Sequence, residues 1–136
     1  MRAVFDTNVI VSAILFGGVP REVLGQAIRR EFTLVTSLAL LVELETVLVR
    51  KFGFRAPEAR AVRGEIEIIA VVAEPTPLDP VVRDRDDDEV LATAVGGSAD
   101  VIVTGDRDLL DLGKYGVIEI LDPRAFVERL REAAES

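Results

Sequence analysis

The sequence predicts an α/β domain built on a central, mainly parallel sheet. Short apolar runs such as Val101-Ile102-Val103 alternate with longer stretches whose apolar residues recur at helical spacing. That alternation is the signature of strands joined by helical crossovers. The 136 residues contain no internal repeat, no low-complexity tract and no linker long enough to divide them. One domain spanning 1–136 is therefore expected.

Residues 3–5 read as a buried strand ending at Asp6. Residues 8–16 are apolar and read as a helix, stopped by Gly17-Gly18. Pro20 opens a second helix that runs to about Arg30. Residues 32–35 form a short β-prone segment. Ser37 is placed to cap a third helix over 38–51, whose Leu40, Leu41, Leu44, Val47 and Leu48 recur at helical spacing. Gly53 ends it, and Pro57 begins a fourth helix reaching Ile69. Val71-Val72 reads as a short strand, and 74–79, with two prolines, as a loop. An acid-rich stretch over 84–89 leads into a helix through Val95 that Gly96-Gly97 ends. Residues 100–104 read as a buried strand with a polar end, 105–108 as a turn, 117–121 as a last strand and 123–134 as an amphipathic helix.

Composition removes several chemistries. The chain has no cysteine and no histidine. Disulfides, thiolate zinc sites, cysteine nucleophiles, Ser-His-Asp triads and histidine bases are thereby excluded. Oxygen ligands must carry any chemistry, and any metal should be a hard cation such as Mg²⁺ or Mn²⁺. The net charge of −8 argues against broad electrostatic binding to nucleic acid. It does not exclude a nuclease, whose metal-binding acids make a negative site. No apolar run reaches the roughly 18 residues of a spanning helix. The N-terminus passes directly into strand-like sequence with no signal peptide, so a soluble cytoplasmic protein is expected.

In a parallel sheet with right-handed crossovers the C-terminal strand ends share one edge, and ligands bind outside it. Asp6 and Asp106 both fall there. Two carboxylates at close range repel unless a counter-charge, such as a divalent cation, joins them. The third helix carries Glu43 and Glu45, each about 100° from the centre of its apolar stripe, so helical geometry does not choose between them. Asp84, Asp86, Asp87 and Asp88 precede or start the next helix. Asp86 with Glu89 also fits a capping box, and acids in a first helical turn are ordinary.

The order of these parts resembles a PIN domain, the nuclease fold of VapC-type toxins in prokaryotic toxin–antitoxin pairs. The likeness runs from AVFDTNVIVSAILFGG through SLALLVELETVL and DRDDDEVLATAV to ADVIVTGDRDLLDLG and ILDPRAFVERL. It is greatest to the subgroup of PIN proteins assigned to toxin–antitoxin systems. The resemblance implies a three-layer α/β/α fold and an acidic quartet. Asp6 matches the strand-end aspartate. Glu43 matches the glutamate of the Glu-Leu pair, against Glu45. Asp88 matches the aspartate three residues before Leu91-Ala92, with Asp87 a rival through a one-residue slip. Asp106 matches the aspartate of the T-x-D-x-D motif and Asp108 its variable last acid. Asn8 and Thr104 match polar positions that support the site.

The expected activity is a ribonuclease in which these acids hold one or two Mg²⁺ or Mn²⁺ ions. Without metal, at least one crowded acid should bind a proton unusually well. Arg50, Lys51, Arg55, Arg60 and Arg63, against the single acid Glu58 between 50 and 63, form a candidate RNA-contacting stretch. The resemblance also implies a small antitoxin partner and a homodimer. A haloacid-dehalogenase-type phosphatase is the alternative enzyme, but Asn8 stands where that family needs a second aspartate. A non-catalytic binding module is the third reading.

Overall fold

The structure, a computed structural model, describes residues 1–79 and 85–135. The chain passes through β1 (Arg2–Phe5), α1 (Thr7–Leu15), α2 (Gly18–Ile28), β2 (Thr33–Thr36) and α3 (Leu38–Phe52). It continues through α4 (Ala56–Ile69), β3 (Ala70–Val72), α5 (Arg85–Gly96), β4 (Val101–Val103) and α6 (Arg107–Leu112). It ends with β5 (Lys114–Tyr115), β6 (Ile118–Leu121) and α7 (Pro123–Glu135). The sheet order is β3-β2-β1-β4-β6-β5. Every neighbouring pair is parallel except β5 with β6.

Alternate side chains of the central strands enter two different cores, as a period of two requires. Ala3, Phe5, Leu34, Val101 and Val103 face α1, α2, α3, α4 and α7. Val4, Val35 and Ile102 face the other side, where α5 and Leu109 of α6 cover them. The result is the three-layer α/β/α arrangement. Phe5, Phe32 and Phe126 anchor the first core, with ring centroids 4.9 to 6.1 Å apart and mostly edge-to-face.

Local chemistry sets the helix ends that matter for the site. Ser37 accepts the Leu40 amide at 3.4 Å at the start of α3. Its hydroxyl also lies 2.8 Å from that of Thr93 in α5, and both residues are fully buried. One buried pair thus ties the two helices together. Gly53 ends α3 with φ +71°, a conformation that glycine adopts without strain. At the far end of α5, a Cβ on Gly96 would run into the Glu74 carbonyl, so only glycine lets the 74–76 backbone pass so close.

Three sequence expectations shift. Helix α2 begins at Gly18, two residues before Pro20. The first four amides of a helix need no internal partner, so a proline at the third position is tolerated. Residues 105–108, expected to be a turn, lead into α6, which Asp106 caps through the amides of Asp108 (2.9 Å) and Leu109 (3.3 Å). Asp84 lies outside the described residues, and α5 already begins at Arg85, which puts Asp86 inside its first turn rather than before it.

Candidate metal centre

Strands β1 and β4 are neighbours in register, with Phe5 opposite Val103. The residues that follow them therefore leave the sheet side by side. The Asp6 amide donates to the Val103 carbonyl at 2.9 Å. Thr104 is fully buried, and its hydroxyl has one proton to give. It donates that proton to Asp6 Oδ2 at 2.8 Å and accepts the Asp106 amide at 3.0 Å. A single hydroxyl thus joins both strand-end aspartates.

Asp6 is only 6% exposed. Burial raises its pKa above the ordinary 3.8, and the nearby Asp106 carboxylate adds to the rise. The Thr104 hydroxyl and the Asn8 and Thr7 amides oppose it without cancelling it. Neither amide meets full hydrogen-bond geometry to the Asp6 side chain, so the hydroxyl is the firm contact. A raised carboxyl pKa was expected from the crowding of acids; at Asp6 burial is the larger cause and the Asp106 carboxylate the smaller.

A cleft of about 470 Å³ opens beside these strand ends. Asp6 and Asn8 line it from the β1–α1 junction, Asp106 from the β4–α6 junction and Asp87 from α5. Helix α3 contributes Glu43, Thr46, Val47, Arg50 and Lys51. These lie at i, i+3, i+4, i+7 and i+8, one continuous helix face.

Two ambiguities of the sequence meet definite geometry here. Glu45 points away to α4, where Arg63 holds it at 3.1 Å, while Glu43 lines the cleft. Asp87 lines the cleft and is 4% exposed, whereas Asp88 lines a separate groove with Pro75, Pro77 and Leu78. The reason is helical period. Asp87 shares a face with the buried Val90, Leu91 and Ala94 that pack α5 on the sheet, and Asp88 is turned 100° from it. The apolar positions of α5 carried that signal, although an aligned acid run hides it.

Carboxylate oxygens of Asp87, Asp106 and Asp108 lie within 4.8 Å of one another. Two oxygens sharing a hard cation at about 2.1 Å stand no more than about 4.2 Å apart. Small side-chain rotations would bring the three to that spacing, and an all-oxygen donor set suits Mg²⁺ or Mn²⁺. The residues therefore fit a divalent cation. Asp6 and Glu43 line the same cleft outside this tight group.

The five basic residues of the 50–63 stretch separate. Arg50 and Lys51 line the cleft. Arg63 is engaged by Glu45 and Glu67, the latter at 2.9 Å. Arg55 and Arg60 are exposed and away from the cleft lining. Thr46 is a lining residue that the sequence did not single out. Its place on the Glu43 face was the available signal.

Among the described residues the sheet has six mainly parallel strands, and acids gather at its C-terminal edge, an arrangement open to metal-dependent chemistry. The profile of the PIN domain matches residues 2–108, and the chain belongs to that family. PIN domains are typically metal-dependent nucleases, hydrolases at the coarsest level. The chain is also similar to an uncharacterized protein of Methanocaldococcus jannaschii, 26% identical over 145 aligned residues that cover 97% of this chain and 93% of that protein. Among the described residues no single helix is long and apolar enough to cross a membrane.

Proposed function

We propose that residues 1–136 form one PIN domain acting as a metal-dependent endoribonuclease, the toxin of a cytoplasmic toxin–antitoxin pair. The observation that carries this reading is the convergence of Asp6, Glu43, Asp87 and Asp106 in one cleft that also presents Arg50 and Lys51. Asp87 takes the place that the resemblance offered to Asp88. Asp108 joins Asp87 and Asp106 as a ligand.

When bound, Mg²⁺ or Mn²⁺ supplies an acidified water and neutralises charge on the scissile phosphate. The chain's own residues do the rest. Thr104 fixes the orientation of the Asp6 carboxylate through its 2.8 Å bond. Asp106 is held by the two α6 amides that it caps, which leaves its other oxygen for the cation. Arg50 and Lys51 are exposed while Asp6 and Asp87 are buried, so the cations sit at the mouth and these two acids on the floor. Phosphates meet the mouth first. A phosphatase of the haloacid-dehalogenase type lacks its second aspartate, because Asn8 stands there.

Cleavage of RNA with Mn²⁺ or Mg²⁺, abolished by EDTA and by Asp6→Asn, is the expected result. Cleavage that survives both overturns the proposal. Asp87→Asn should lower kcat by about 100-fold or more, and Asp88→Asn should leave it unchanged. The antitoxin and the homodimer rest on the likeness to toxin PIN proteins. Light scattering on the purified chain tests the dimer, and a monomer at assay concentration removes it.

A further inference from the structure

Thr46 and Arg50 border two hollows at once. They line the acidic cleft, and they also line a smaller groove of about 220 Å³ with Glu45, Val49 and Ala56. This second groove lies between α3 and the first residue of α4. Thr46 and Arg50 stand one helical turn apart, so they form a ridge that both hollows share. Along the helix axis Thr46 lies about 4.5 Å beyond Glu43, and Arg50 about 10.5 Å beyond it. A strand leaving the acids along this face meets Thr46, then Arg50, then the second groove.

The chemistry of the ridge suits a ribose followed by a phosphate. The Thr46 hydroxyl gives its one proton to the Val42 carbonyl at 2.9 Å. What it still offers is lone pairs, so toward a ligand it can only accept. A phosphodiester oxygen has no proton to give it. A ribose 2′-hydroxyl has one, and that group is what tells RNA from DNA. Among the described residues no ion pair holds the Arg50 guanidinium, which leaves it for a phosphate. In the second groove Glu45 is held by Arg63 at 3.1 Å, which offsets its charge toward a polyanion. Val49, 38% exposed, adds an apolar wall there.

We propose that the Thr46–Arg50 ridge is a nucleotide subsite that carries an RNA strand from the acidic cleft into the α3–α4 groove. Thr46 accepts a hydrogen bond from a ribose 2′-hydroxyl, and Arg50 holds the phosphate that follows. The ridge thereby favours RNA over DNA without reading base sequence, because every ribonucleotide presents the same 2′-hydroxyl. This subsite rests on the ribonuclease reading for its place beside a scissile phosphate, but its preference for ribose is read from binding alone.

The test compares single-stranded RNA and DNA of one base sequence, with uracil in both, binding to the full-length protein in EDTA. The wild type should hold the RNA about 2- to 10-fold more tightly. Thr46→Val keeps the shape and removes the lone pairs, so it should erase the difference by weakening RNA alone. Thr46→Ser should keep the preference. Val49→Glu, which puts a negative charge in the second groove, should raise the Kd for RNA about 5-fold. Val117→Glu adds the same charge just before β6, at the opposite edge of the sheet, and should leave the Kd unchanged. A wild type without a preference for RNA overturns the subsite, and so does a preference that survives Thr46→Val. Equal weakening of RNA and DNA by Thr46→Val also overturns it and assigns the hydroxyl to a base. Equal effects of Val49→Glu and Val117→Glu overturn the path across the ridge. Each of these results is compatible with a protein that cleaves RNA with Mn²⁺, so the ribonuclease reading would stand. A preference lost in Thr46→Val, in a protein that never cleaves RNA, would instead sink the ribonuclease reading and leave the subsite standing.

Discussion

Asp6 carries a charge that its surroundings oppose, and this has a testable sign. Burial raises its folded pKa above the unfolded value near 3.8. The stability it contributes is then fully present below pH 3.8, where both states hold the proton, and is lost as pH rises through the folded pKa. Metal-free Asp6→Asn should therefore melt higher than wild type at neutral pH, with the gain vanishing in acid. Thermal melts in EDTA across pH check this. Saturating Mn²⁺ should reverse the order, because only the wild type gains fully from binding. Thr104 has the opposite role. Thr104→Val removes a donor to Asp6 and an acceptor for the Asp106 amide, and should cost about 1–3 kcal/mol in urea unfolding. Thr104→Ser should recover most of it. The sequence marked Asp6 and Asp106 because a parallel sheet delivers its strand ends to one edge, and Thr104 through the resemblance to PIN domains. It left Asp87 and Asp88 unresolved, because a run of acids has no internal reference and only the buried Val90, Leu91 and Ala94 supply one.

At the scale of elements, α3 and α5 bring Glu43 and Asp87 to the cleft, and the Ser37–Thr93 hydroxyl pair fastens them. A buried hydroxyl that loses its partner keeps its desolvation cost, while removing both hydroxyls is milder. Ser37→Ala and Thr93→Val should each destabilise, and the double variant should lose less than the two single losses combined. A denaturation double-mutant cycle reads the coupling; strict additivity would show that the pair does not act as a unit. Most element types were legible, since apolar spacing separates helices of ten or more residues from short buried strands. Helix α6 and strand β5 were not, because six and two residues are too few for any period to register.

For the whole molecule, a net charge of −8 and a basic cleft mouth set the salt response. Each phosphate contact to a single strand contributes about −0.7 to the slope of log K against log salt. Replacing Arg50 and Lys51 together with alanine should make the slope shallower by about 1.4, measured by RNA binding in EDTA at several salt concentrations. Arg60→Ala should leave the slope unchanged. The overall α/β/α architecture was readable from alternation alone. The sorting of five basic residues into two at the cleft, two elsewhere on the surface and one held by glutamates was not, because it depends on how α3 and α4 pack.

The sheet order also decides when this protein can become what it is. Strand β1 is made first, yet it sits in the interior of the sheet, with Ala3 between Leu34 and Val101. Until β4 is synthesised, one side of β1 has no strand beside it, and Asp6 has neither Thr104 nor Asp106 for a neighbour. A nascent chain released before residue 101 would hold an open, apolar sheet edge and no complete acidic cluster. The residues of 101–108 are thus the last that the acidic cleft waits for, although its first ligand position, Asp6, is in place from the start.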